Sequence, residues 1–158
     1  MPCSRSTNRR SGFTLVEVLV ALVVLTVGML GIGVMLLDAL RASRLALQRT
    51  AAVTLAGDMG ERIRSNRAGG DAYALADGSV LPAPPKSCTA ANSCDASEVA
   101  AVELYDWQQA ALRALPDART TVTQELDPAS SARVYTITIA WAQSGGGAPA
   151  EFTLMVQT

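Results

Sequence analysis

Between Phe13 and Leu37 almost every position is apolar, and a single charge, Glu17, interrupts the run. As a helix this stretch measures roughly 37 Å at about 1.5 Å per residue. A bilayer's hydrocarbon core is about 30 Å thick, so the pattern predicts a spanning helix with some tilt. The helical pattern then continues. Asp38 to Arg67 contains no Pro and is dominated by Ala, Leu, Arg and Gln, all good helix formers. Leu40, Leu47, Ala51, Leu55, Met59 and Ile63 recur at intervals of seven then four, a stripe on one helical face. Arg62, Arg64 and Arg67 crowd the end, and Gly69-Gly70 comes next as a stop signal. The pattern predicts one helix from Phe13 to about Arg67, on the order of 80 Å long.

Asp71 to Asp95 shows no clear period, holds Pro82, Pro84 and Pro85, and reads as a loop. A second helix comes after it, capped by Asp95 with Glu98 three residues on. Ala100, Leu104, Trp107, Ala111 and Leu115 mark its apolar face, and Pro116 closes it. Three period-two segments end the chain: Thr120, Val122, Gln124 and Leu126; then Tyr135, Ile137, Ile139 and Trp141; then Phe152, Leu154 and Val156. Gly145-Gly146-Gly147 between the last two predicts an antiparallel hairpin. The elements assemble into an α+β fold, a long helix packed on a short antiparallel sheet. The two Trp residues are expected to fill the core and not an adhesive surface.

Charge divides the chain further. Three of its 13 basic residues, Arg5, Arg9 and Arg10, and none of its 14 acidic ones precede Phe13. Positive charge at that flank predicts a cytoplasmic N-terminus, with the remainder exported. From Phe13 onward the chain has a formal balance of −4, without the basic excess or aromatic-laced basic stripe of a nucleic-acid binder. About 120 residues lie beyond Leu37, enough for one small domain. There is no His, which removes the commonest metal ligand and general base. No Gly-rich phosphate loop is present, and the single Lys, Lys86, lies beside Pro85 outside any nucleotide motif. No catalytic set, cofactor or metal is expected.

The order of parts at the N-terminus is informative. In a secretory signal peptide the apolar core precedes the cleavage site and is discarded. Here Gly12 precedes the apolar run, so a cut after it leaves the run on the mature chain. Gly12, Phe13 and Glu17 resemble the class III leader of type IV prepilins and the related type II secretion pseudopilins. That resemblance implies a leader at 1–12, cleavage between Gly12 and Phe13 by a prepilin peptidase, and N-methylation of Phe13. It also implies a membrane and filament-core helix at 13–37 and an exported, ladle-shaped pilin domain at 38–158. Glu17 is the fifth mature residue. An acidic group at mid-bilayer costs about 2.5–3.5 kcal/mol on insertion scales and implies a partner. In the pilin family that partner is the N-terminal amine of a neighbouring subunit, which makes Glu17 an assembly determinant; the alternative is a snorkelling interfacial residue. Gly28, Gly31 and Gly33 fit either close helix packing or a segment that unwinds locally inside a filament.

Cys3 falls in the leader, whereas Cys88 and Cys94 form an even pair in the exported part. Two Cys without His supply only half the ligands of a structural zinc site. A disulfide is favoured over free thiols or metal, and closing a seven-residue loop contributes about 2.4 kcal/mol in the chain-entropy model.

A second resemblance is narrower. Leu55-Ala56-Gly57-Asp58-Met59-Gly60-Glu61-Arg62-Ile63-Arg64-Ser65-Asn66-Arg67-Ala68-Gly69 is similar to the helix-end signature of PilV-type minor pilins. The cysteine pair, the Trp107 helix ending at Leu115-Pro116 and the strand from Tyr135 to Trp141 fall in the same order. The alternative is a charged helix end that only complements the helix dipole. The resemblance implies a non-enzymatic subunit that helps initiate type IV pili near the tip and supports twitching motility and adhesion. Its implied partners are the prepilin peptidase, other minor pilins, the major pilin and a tip adhesin. Its implied location is the bacterial inner membrane and then the extracellular pilus. A minor pseudopilin of a type II secretion system and a DNA-uptake minor pilin are the rival expectations.

Overall fold

The computed structural model describes residues 12–89, 92–128, 130, 132–143 and 147–158. The leader residues Arg5, Arg9, Arg10 and Cys3, and Gly145 and Gly146 of the expected hairpin, lie outside the described residues. Elements run in the order α1 (Leu15–Ser65), a 3-10 helix (Arg67–Tyr73), α2 (Ala96–Ala114), β1 (Arg119–Leu126), β2 (Arg133–Trp141) and β3 (Ala150–Gln157). The chain divides into two compact units, Met1–Ser43 and Arg44–Thr158.

In the first unit every described side chain is exposed, including Leu15, Leu19, Val23, Leu30, Met35 and Leu37. The helix runs unbroken through Gly28, Gly31 and Gly33, and nothing approaches within 4 Å of the Cβ position of any of them. No local unwinding is present here. A helix that is apolar all round belongs in lipid or among other helices.

The second unit holds the core. Its sheet has the order β1-β2-β3, with both pairs antiparallel. Along β2 the side chains of Tyr135, Ile137, Ile139 and Trp141 are buried, and those between them face outward. Strand periodicity alone places these four on one face. Against that face α1 presents Ala52, Ala56, Met59, Gly60 and Ile63, all buried. A Cβ on Gly60 would lie 3.0 Å from Val156 Cγ2 and 3.5 Å from Leu154 Cδ2, so the helix backbone rides close on β3. Leu40 and Leu47, expected in the buried stripe, are 53% and 67% exposed. Met59 and Ile63 of that stripe are buried and Ala51 and Leu55 pack half-buried against the core, while Ala52, Ala56 and Gly60, one position further along, complete the seat.

α2 begins as its sequence dictates. The Asp95 carboxylate accepts from the Ser97 and Glu98 amides at 2.9 and 2.8 Å, and Glu98 accepts from the Asp95 amide at 3.0 Å. Two orphan donors are thereby satisfied reciprocally. Its apolar face, Ala100, Leu104, Trp107 and Ala111, is buried together with Leu115 just past its end. Trp107 Nε1 donates to the Leu55 carbonyl at 2.8 Å, tying α2 to α1. Gln108 is buried but fully used: its amide donates to the Ser79 carbonyl and Thr120 Oγ1, and its carbonyl accepts from the Leu81 amide.

The segment expected to be loop from Asp71 contributes more than that. The 3-10 helix extends into it to Tyr73, and the Leu75 and Val122 backbones exchange bonds of 2.9 and 3.0 Å, a single bridge on the free edge of β1. Tyr73 and Leu75 are core residues. The chain turns there at Gly70, whose φ of +46° disfavours any side chain. α1 itself stops at Ser65, two residues before the expected end.

Candidate functional site

At the start of α1, Gly12 and Phe13 lie outside the helix and are exposed, Phe13 to 82%. Thr14 is the cap that sequence analysis missed. Its carbonyl accepts from the Glu17 and Val18 amides at 3.1 and 3.3 Å, and its hydroxyl accepts from the Glu17 amide at 3.3 Å. The signal was present: Thr14-x-x-Glu17 is the spacing of a capping box. Only half of that box forms. The Glu17 carboxylate does not reach back to the Thr14 amide and has no hydrogen bond or ion pair among the described residues. It lines a shallow hollow of ≈ 350 Å³ with Phe13, Val18, Ala21, Leu22 and Leu25, and is the one polar side chain there. The site thus consists of an exposed aromatic, a capped helix start and an unpartnered anion one turn in, on an otherwise apolar surface. A carboxylate in such surroundings favours a cationic partner, and no cation lies beside it among the described residues.

The second predicted site is the cysteine pair. Cys88 and Cys94 are joined, with an S–S distance of 2.10 Å and Cα atoms 5.5 Å apart. The bridge ends one residue before the α2 cap. Lys86, just ahead of it, donates to Glu98 at 2.9 Å, so the loop is held to the helix start a second time. These contacts hold both carboxylates below their ordinary pKa. For Asp95 the Glu98 amide contributes most and the Ser97 hydroxyl next; for Glu98 the Lys86 hydrogen bond leads, followed by the Asp95 amide.

The charged end of α1 is internally committed. Arg62 pairs with Asp58 at 2.9 Å and Arg64 with Glu61 at 2.6 Å. Asn66 Nδ2 donates to the Ala96 carbonyl at 2.8 Å and to Tyr73 Oη at 3.1 Å. Tyr73 in turn donates to the Glu103 carboxylate, and burial, with that acceptor second, pushes its phenol above the ordinary value. Asn66 is therefore a bracket between two helices and the following turn. No group of three or more potential metal ligands occurs among the described residues.

Two family models match this chain. One, described as type IV pilin Tt1218, covers residues 34–105; the other, the prokaryotic N-terminal methylation motif, covers residues 7–33. They adjoin, and the strands beyond residue 105 lie outside both. No curated protein and no solved structure matches.

Proposed function

Since the chain belongs to the type IV pilin family, we propose that it is a minor pilin of the PilV type. In this role it is a low-abundance structural subunit that helps initiate the filament, sits near its tip, and supports twitching motility and adhesion. Its N-terminal motif marks it for the prepilin peptidase and for assembly with other pilins. Cleavage falls between Gly12 and Phe13, which leaves a new amine on Phe13 one turn from Glu17. Before assembly α1 spans the inner membrane from a cytoplasmic N-terminus, and the domain folds on the periplasmic side, where the disulfide forms.

One observation carries this function: among the described residues the Glu17 carboxylate has no hydrogen bond or ion pair, and the hollow it lines is otherwise apolar. A neighbouring subunit's Phe13 amine supplies the missing cation at the same end of every chain. Glu17→Ala is expected to leave insertion and processing intact, because the leader and apolar run are unchanged. The amount of the protein in sheared pili should fall sharply. Undiminished incorporation on immunoblots would remove Glu17 from the assembly contacts. Absence of the wild-type protein from pili altogether would favour a secretion pseudopilin instead.

A further inference from the structure

The two edges of the sheet differ. On β1 the Val122 N–H and C=O are taken by Leu75, and Asp77 holds the side chains of Arg119 and Thr121. β3 forms the other edge. Just past its end, Thr158 and Arg133 exchange backbone bonds of 3.3 and 3.0 Å. Antiparallel alternation therefore directs the bonds of Ala150, Phe152, Leu154 and Val156 to β2. The N–H and C=O groups of Glu151, Thr153, Met155 and Gln157 point the other way, and none has a hydrogen bond among the described residues. Proteins ordinarily blunt such an edge with Lys, Pro or a bulge. β3 has none of these: its register against β2 runs unbroken, and Glu151 is its one charge. Phe152 and Leu154 face the core there but are only half-buried. Beside them a hollow of ≈ 280 Å³ lies between Arg49 and Val53 of α1 and Trp141, Glu151 and Phe152, all within the second unit.

We propose that the open edge of β3 takes up an extended strand of a different pilin subunit of the filament, which adds to the sheet beside β3. The proposal rests on the filament-subunit reading above. The free backbone groups select an extended polypeptide, and an apolar side chain on it fills the hollow against Val53 and Phe152. A second copy of this chain does not fit. Its β1 edge is occupied at Val122 by Leu75. Its β3, joined to this one in the stronger antiparallel sense, would set the two subunits pointing in opposite directions. Subunits that each place Glu17 against a neighbour's Phe13 point the same way.

The test uses sheared pili carrying the full chain with photoreactive benzoylphenylalanine in place of Met155, which is exposed on β3. Illumination should join it to a peptide of another pilin subunit, identified by mass spectrometry. The same probe in place of Thr123, exposed on β1, should give no such adduct. Adding Thr153→Pro removes an outward N–H and leaves the ladder to β2 intact. It should reduce the adduct on the order of ten-fold while the unfolding midpoint holds. Gln157→Pro, outward in the same way near the strand's end, repeats the measurement should Thr153→Pro unfold the domain. No adduct at position 155, an adduct to a second copy of this chain, or an adduct that survives both proline variants would overturn the proposal. Absence of the unsubstituted chain from pili would instead overturn the filament-subunit reading beneath it.

Discussion

Trp107 ties two helices within the second unit, and Trp107→Phe measures how firmly α2 is held to α1. The indole is 1% exposed, and its N–H meets the Leu55 carbonyl at 2.8 Å. Losing a hydrogen bond of this kind costs about 1 kcal/mol. No penalty for an orphaned acceptor is added, since the Leu55 carbonyl sits within α1 and keeps its helical bond. Replacing indole by phenyl also leaves unfilled volume in a packed core, worth a further 1–2 kcal/mol or so. The expected loss is therefore about 2–3 kcal/mol. At roughly 4 °C per kcal/mol for a domain of this size, the midpoint should fall by about 8–12 °C. Thermal unfolding of the full chain in detergent, followed by near-ultraviolet circular dichroism, reads this directly. Cleavage at Gly12 should be unchanged, because the processed segment belongs to the other unit. A midpoint within about 2 °C of wild type would refute the assignment of α2's anchorage to this residue.

The same contacts give three further expected outcomes. Replacing both Cys88 and Cys94 by Ser should lower stability by about 2.4 kcal/mol on the chain-entropy account, and an unchanged denaturant midpoint would show that Lys86–Glu98 holds the loop without the bridge. Asp95 and Glu98 have depressed folded-state pKa values, so their contribution is fully present above their ordinary values and is lost as pH falls through the folded ones. Stability should decline below about pH 4.5, and Asp95→Asn with Glu98→Gln should flatten that acid limb; a parallel limb in the variant would place its origin elsewhere. Gly70→Ala should cost about 1–3 kcal/mol, from its φ of +46° and from displacing the Arg133 guanidinium, and unfolding by urea would expose the error if the change proved neutral.

Much of the fold was legible because its signals are local. The strict alternation of Tyr135, Ile137, Ile139 and Trp141 and the Asp95–Glu98 capping box each specify an element within a few residues. The burial of α1 was less legible. Leu47 has the hydrophobicity of a core residue yet is exposed, whereas Ala52, Ala56 and Gly60 are buried. Which side chain faces the core there depends on the bulk of Val156 and Leu154, far away in sequence. Tyr73 and Leu75 were missed for a similar reason. They sit singly in a segment without a period, and the pairing of Leu75 with Val122 has no local signature. At the N-terminus, the prominence of Gly12, Phe13 and Glu17 hid Thr14, although its spacing to Glu17 already marked it as a cap.

The seat of small residues on α1 has a mechanical consequence. Ala52, Ala56 and Gly60 offer no side chains that can swing aside, so sliding the helix by a turn would drive larger groups into Val156 and Leu154. Within the second unit, the stretch of α1 around Gly60 is thus keyed against β3, and a larger side chain there would push the helix off Val156.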